Sequence, residues 1–85
     1  MYYVYIVQCA DKTLYTGIAT ELQRRIDEHN TSDKGAKYTR TRRPVVLVYS
    51  EEYPDRSTAS KREYEIKKKM NKKEKLQLIK GVTAR

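Results

Sequence analysis

Residues 2–9, Tyr-Tyr-Val-Tyr-Ile-Val-Gln-Cys, constrain this chain more than any other stretch: they are β-branched or aromatic, hold no breaker, and are apolar on both faces of a pleat. They read as a central strand that needs cover on both sides. Ala10-Asp11-Lys12 supplies a turn, and Thr13–Ile18 returns as the second strand of a hairpin. Turn length sets the register. A two-residue turn would place Gln8 opposite Tyr15 and put Tyr5 and Tyr15 on opposite faces of the sheet. A three-residue connection, or a bulge beside the turn, places Val7 opposite Tyr15 and Tyr5 opposite Gly17, so that both tyrosines share a face. This odd register is the expectation, because a glycine facing Tyr5 leaves open space where something could bind.

Thr20-Glu21-Leu22-Gln23 fits a capping box, which predicts a helix over about residues 21–29. Leu22 and Ile26 form its buried stripe, and Arg25 and His29, four apart, are neighbours at the edge of that stripe. Residues 30–43 have turn composition and five basic side chains, Lys34, Lys37, Arg40, Arg42 and Arg43, with Tyr38 among them. The segment reads as a long loop in which Tyr38 either stacks a base while its neighbours hold phosphates or folds onto the core. Pro44 marks the entry to a third strand, Val45–Tyr49 with an extension to Tyr53, whose Val and Leu run predicts cover on both faces. Asp55 or Ser57 can cap a second helix of about residues 57–70. Its apolar stripe is Ala59, Ile66 and Met70, and the position completing the 59-63-66-70 spacing is Glu63. A carboxylate at a core-facing position costs several kcal/mol unless paired or bound to a cation. Glu63 therefore either belongs to a metal or active site, or points sideways to pair with Arg25 or Lys67. Asn71 and Glu74 open a last helix that runs to about Lys80 and docks through Leu76, Leu78 and Ile79, with the final four or five residues frayed. The elements follow the order β-β-α-β-α-α in one α+β domain spanning residues 1–85.

The formal charge is +8, and it is unevenly spread: −1 over residues 1–30, +1 over 31–55 and +7 over 56–80. Such a distribution suggests an anionic partner, nucleic acid above all. A membrane-surface role needs a broad apolar helix face, and residues 60–75 offer only Tyr64, Ile66 and Met70. No membrane span and no cleavable leader are legible, and the lone Cys9 reads as an inert small hydrophobe, so a soluble cytoplasmic protein is expected. There is no glycine-rich phosphate cradle, no cysteine/histidine zinc set and no serine nucleophile motif. What remains is two tyrosines, an arginine, a histidine and one glutamate in a basic protein, a set suited to phosphodiester hydrolysis. Mg²⁺ accepts a single protein carboxylate, with water and substrate phosphate filling its other positions. Since Asp27, Glu28 and Glu65 lie off the predicted faces, one metal is a better reading than two.

The pair Tyr3-Val4-Tyr5 and Tyr15-Thr16-Gly17, followed by Leu22-Gln23-Arg24-Arg25, His29 and then Ala59…Glu63…Ile66-Lys67, resembles the GIY-YIG nuclease superfamily. The Lys37-Tyr38-Thr39-Arg40 stretch before the third strand makes it most similar to the small stand-alone bacterial branch. The resemblance covers residues 2–80. It implies a three-stranded antiparallel sheet flanked by helices and a single divalent ion, Mg²⁺ or Mn²⁺, on Glu63. It also places Tyr5 and Tyr15 by the attacking water, one of them, with Tyr5 as candidate, the general base. It further implies Arg25 on the phosphoryl oxygens and His29 as proton relay or phosphate contact. A downstream asparagine used by some members would be Asn71, which is also accounted for as a helix cap. Tyr3 stands where the family name has Gly, and Thr16 where it has Ile. The resulting expectation is a metal-dependent endonuclease-like domain, acting on DNA more than RNA and, for want of a specificity domain, either sequence-tolerant or directed to a shape such as a branch, flap or damaged end. The alternative is a nucleic-acid-binding module with a silent site that acts with a protein partner.

Overall fold

The computed structural model describes residues 1–31 and 37–81, and of Lys37 and Tyr38 the backbone alone. The chain forms β1 (Tyr2–Gln8), β2 (Leu14–Ala19), α1 (Leu22–Thr31), a single turn α2 (Lys37–Arg40) and β3 (Val46–Tyr53). Then come α3 (Arg56–Tyr64), which passes directly into a π-helical turn at Glu65–Lys69, and α4 (Lys72–Lys80). The three strands form one antiparallel sheet in the order β2-β1-β3. β1 is the central strand, as its two-sided apolar pattern requires, and Val4, Ile6 and Val7 are wholly buried.

The hairpin has the odd register. Tyr5 stands opposite Gly17 and Val7 opposite Tyr15. The turn closes with the Cys9 N–H donating to the Thr13 carbonyl at 2.8 Å and the Lys12 N–H to the Cys9 carbonyl at 2.9 Å. Lys12 takes a left-handed φ of 73°. Alternation then divides the core in two. Tyr5, Val7 and Cys9 face α1 and pack with Ile26, Val45, Tyr15 and Leu22. Val4 and Ile6 face α3 and α4 and pack with Ala59, Ile66, Leu78 and Ile79. Cys9 is a free, buried thiol whose pKa burial pushes up, in keeping with an inert role.

Helix ends follow their caps. The Asp55 carboxylate accepts from the Thr58 N–H at 2.8 Å. Asn71 and Glu74 exchange side-chain-to-backbone bonds of 2.9 Å in a full capping box, and α4 ends on Gly81 with φ 71°. The exception is α1, where the expected Thr20–Gln23 capping box does not form: the helix starts at Leu22, and the Gln23 amide donates forward to Asp27 at 3.1 Å.

Four further expectations are corrected. The segment after α1 is not one loop from residue 30 to 43, because α1 continues to Thr31 and α2 follows. The 57–70 helix is not α-helical throughout, since its last five residues widen into the π turn. β3 is an edge strand, and Val46 is 59% exposed, so its apolar run does not mean cover on both faces. The space across from Tyr5 is not open to a ligand: a Cβ added to Gly17 would stand 2.6 Å from Tyr5 Cζ and closer still to the hydroxyl. Glycine is required there because Tyr5 lays its own ring over it. The expected fraying of the last residues, 82–85, lies outside the described residues.

Candidate active site

Tyr5 and His29 form the base of the site. Tyr5 projects from β1 toward α1, and His29 comes down from the last turn of α1, so the Tyr5 hydroxyl and His29 Nε2 meet at 2.7 Å with both residues buried. His29 Nδ1 lies 2.9 Å from Thr39 Oγ1, carried in by α2. The Tyr15 ring meets the imidazole edge-on, with centroids 5.4 Å apart. Arg43 Nε donates to the His29 carbonyl at 2.5 Å. Asn30 clamps Val45 through both its amide groups, at 3.0 and 2.7 Å. These bonds fix the angle at which α1 presents His29 to the sheet.

The electrostatics follow from burial. Desolvation, and then the charge of Arg25, lower the His29 pKa to about 4, so the imidazole is neutral at pH 7. Burial raises the Tyr5 hydroxyl to about 12, against a hydrogen bond and the positive charge from Arg25 that pull it down. The Tyr15 hydroxyl is raised by burial and by the charge of Glu63, with Arg25 opposing. Burial works against the charge of Arg25, but hydrogen bonds to Glu28 and Tyr5 hold its guanidinium above the ordinary value.

Glu63 reaches this group from the other side of the sheet. Arg62 and Glu63 are consecutive on α3 and therefore point about 100° apart. Arg62 turns to β3, where its Nε donates to Glu51 at 2.9 Å. Glu63 turns toward the β2 edge, where its charge acts on both Tyr5 and Tyr15. Its ion-pair partner is Lys67, at 3.9 Å, and the Lys67 ammonium lies 5.5 Å from the centre of the Tyr15 ring. The Glu63 side chain is 25% exposed, between the buried Ala59 and Ile66 of its stripe, so it is a rim position and not a core one. Tyr5, Tyr15, Arg25 and His29 thus gather on the α1 side of the hairpin, and the charge of Glu63 reaches the two tyrosines among them.

That donor set fits one hydrated divalent ion. Glu63 offers a carboxylate that keeps solvent access and one loose partner, which suits an ion that retains most of its water. Among the described residues no group of three or more His, Cys, Asp or Glu side chains is gathered.

The basic segment is placed only in part. Arg40 is exposed. Arg42 Nε donates to Asp11 at 3.1 Å, and Arg43 holds the α1 terminus as described above, so both have duties within the fold. Lys34 and the side chains of Lys37 and Tyr38 lie outside the described residues. Asn71 caps α4. No helix among the described residues is long and apolar enough to cross a membrane.

Two residues escaped the sequence reading. Thr39 is wholly buried against His29, and its only signal was its place beside Tyr38 in the Lys-Tyr-Thr-Arg stretch. Glu51 is a well-paired carboxylate. It accepts from Tyr49, from Tyr53 at 2.5 Å and from Arg62 Nε and Nη2 at 2.9 and 3.0 Å.

The family model of the GIY-YIG catalytic domain matches residues 1–77. A UPF0213 protein of Desulfotalea psychrophila is 71% identical over 66 residues, 78% of this chain and 60% of that protein, so the chain spans about three fifths of that relative's length. A UPF0213 protein of Staphylococcus haemolyticus is 55% identical over 78 residues, covering 92% of this chain and 93% of that protein. The solution NMR structure of a UPF0213 protein from Bacillus halodurans matches at 43% identity and a TM-score of 0.61, over 96% of this chain and 86% of that one. That of a protein from E. faecalis matches at 44% and 0.63, over 94% and 83%.

Proposed function

This chain belongs to the GIY-YIG family, in its UPF0213 group, and from that membership we propose that it is a divalent-metal-dependent endonuclease-like domain. It hydrolyses phosphodiester bonds in nucleic acid, DNA ahead of RNA, with one metal ion, Mg²⁺ or Mn²⁺, on Glu63. The observation that carries the reading is the convergence of Tyr5, Tyr15, Arg25 and His29 with the charge of Glu63 at one sheet edge. A cytoplasmic location belongs to the same reading.

In this mechanism a free Tyr5 phenolate is not needed. The Tyr5 hydroxyl donates to neutral His29 Nε2 while Nδ1–H donates to Thr39 Oγ1. As the attacking water gives its proton to the Tyr5 oxygen, the Tyr5 proton passes to Nε2, and Thr39 steadies the imidazolium that forms. The lowered basicity of buried His29 favours release of that proton to solvent, which restores the neutral imidazole for the next turnover. Tyr15, half-buried beside His29, orients the water from the rim. The Arg25 guanidinium, aligned by Glu28 at 3.1 Å, stabilises the charge on the phosphoryl oxygens. A divalent ion supplies positive charge against the phosphate and acidifies the water it carries.

A second reading, a nucleic-acid-binding module whose site is silent or serves a protein partner, draws on one observation: Tyr5 is 1% and His29 0% exposed, beneath the surface that a substrate would touch. Nicking assays separate the two. Mg²⁺- or Mn²⁺-dependent cutting that disappears in Glu63→Ala and Tyr5→Phe, with the fold retained, supports the nuclease. If clean protein leaves branched, nicked, single-stranded and duplex substrates intact in both metals, the binding reading replaces it. Affinity should then survive Glu63→Ala and fall with salt by about 0.9 log units per log unit for each phosphate contacted.

A further inference from the structure

Lys67 touches both halves of the site. Its ammonium lies 3.9 Å from Glu63 Oε2 and 5.5 Å from the Tyr15 ring centre. It stands on the π turn that follows α3, and single π turns recur where a helix has been adapted to a function. A carboxylate has about four lone-pair sites, and one amine at 3.9 Å leaves Glu63 far from satisfied. Lys75 on α4 adds a second positive charge nearby: burial, and then repulsion from Lys67, lower its pKa.

We propose that the Lys67 ammonium is a resident cation at Glu63, that it competes there with the divalent metal, and that on displacement it joins Arg25 as a second positive group on the phosphate. The flexible four-carbon stem lets the ammonium move by a change of rotamer while the helix stays in place. Lys67 and Arg25 come from different elements, the π turn and α1, so a phosphate seated at the β2 edge is gripped from both layers of the fold. The second half of the proposal rests on the nuclease reading, and the first half does not.

The test is a titration of the full chain with Mn²⁺, followed by electron paramagnetic resonance of the free ion, beside single-turnover cutting of a nicked or branched DNA. Loss of one exposed competitor should make Lys67→Gln bind Mn²⁺ about three- to fivefold tighter. Glu63→Gln should lose that binding, and Lys67→Arg should stay near the parent. In cutting, Lys67→Gln should be about tenfold slower at saturating Mn²⁺ yet half-saturate at a lower concentration, with Lys67→Arg recovering most of the rate. Mn²⁺ binding that is absent in the parent, or unchanged or weaker in Lys67→Gln, overturns the competition. Full-speed cutting by Lys67→Gln at saturating metal overturns the phosphate role. A parent that cuts nothing sinks the phosphate role with the nuclease reading, while the titration still decides the competition.

Discussion

Glu51 and Glu63 sit on either side of the same helix, and their surroundings differ in kind. Glu51, 16% exposed, receives Tyr49, Tyr53 and two nitrogens of Arg62, so its oxygens are saturated by the protein itself. Glu63, only slightly more open at 25%, has one amine at 3.9 Å. Hydrogen bonds from Arg62, Tyr49 and Tyr53 outweigh burial and hold the Glu51 carboxyl below the usual range. Similar burial with opposite satisfaction means that the first carboxylate ties α3 to β3, whereas the second holds only the loose Lys67 pair, which leaves room for the cation proposed above.

The contrast breaks most sharply in a pair of alanine variants. Glu51→Ala takes the shared acceptor from Tyr49, Tyr53 and two nitrogens of Arg62, which keeps only Glu65 at 2.6 Å, and thermal or urea unfolding should show a loss of about 2 kcal/mol. Glu63→Ala removes one loose surface pair and should cost under about 0.5 kcal/mol while abolishing metal-dependent cutting. Equal losses of stability in the two variants would erase the distinction between a structural and a functional carboxylate.

Acid unfolding should separate the same two regions by pH. His29 has an ordinary pKa of 6.5 and a folded value of about 4, so above pH 6.5 it is neutral in both states and contributes no slope. Between 6.5 and 4 only the unfolded chain takes up the proton, and stability falls as the pH falls, by about 3 kcal/mol across the window. Glu51 acts later. Its folded pKa is depressed, so its contribution is present above 4.5 and is lost as the pH drops through the lowered folded value. The measurement is the free energy of unfolding against pH in the parent and in His29→Gln. The upper window should flatten in the variant, and the slope below it should remain.

These regions were not equally legible in the sequence. The Tyr5–Gly17 register could be read because strand alternation is local, and turn length alone decides which tyrosines share a face. Helical spacing singled out Glu63 as a charge in an apolar stripe, but it placed the carboxylate in the core, whereas the side chain lies at the rim beside Lys67. Glu51 and Thr39 could not, since neither breaks a local pattern and each acquires its role from a partner elsewhere in the chain: Arg62, eleven residues on, for Glu51 and His29, ten residues back, for Thr39. The π turn has no composition of its own in Glu-Ile-Lys-Lys-Lys. At Gly17 the reading identified the residue and missed its reason, because the nearest large group, the Tyr5 ring, fills the gap that the register creates. Gly17→Ala should therefore push the Tyr5 ring off His29. The expected cost is about 2 kcal/mol, with cutting lost although the catalytic side chains remain present.

The mildest change, with no expected effect on the site, lies on the opposite face of the hairpin, at one of the two residues where this chain departs from its family's name. Thr16 pairs with Ile6 and is 2% exposed, and its hydroxyl has no hydrogen-bond partner. A buried hydroxyl without a partner keeps its desolvation cost, whereas a methyl of the same shape adds apolar contact. Thr16→Val should thus stabilise the chain by about 1 kcal/mol, or roughly 4–8 °C in a domain of this size. Because the Thr16 side chain points away from the Tyr5 and His29 side of the sheet, neither the Mn²⁺ affinity nor the His29 window should move. A gain in stability with an unchanged pH profile would show that the two faces are energetically separable; a shifted profile would show that the hairpin transmits packing on one face to the acid–base pair on the other.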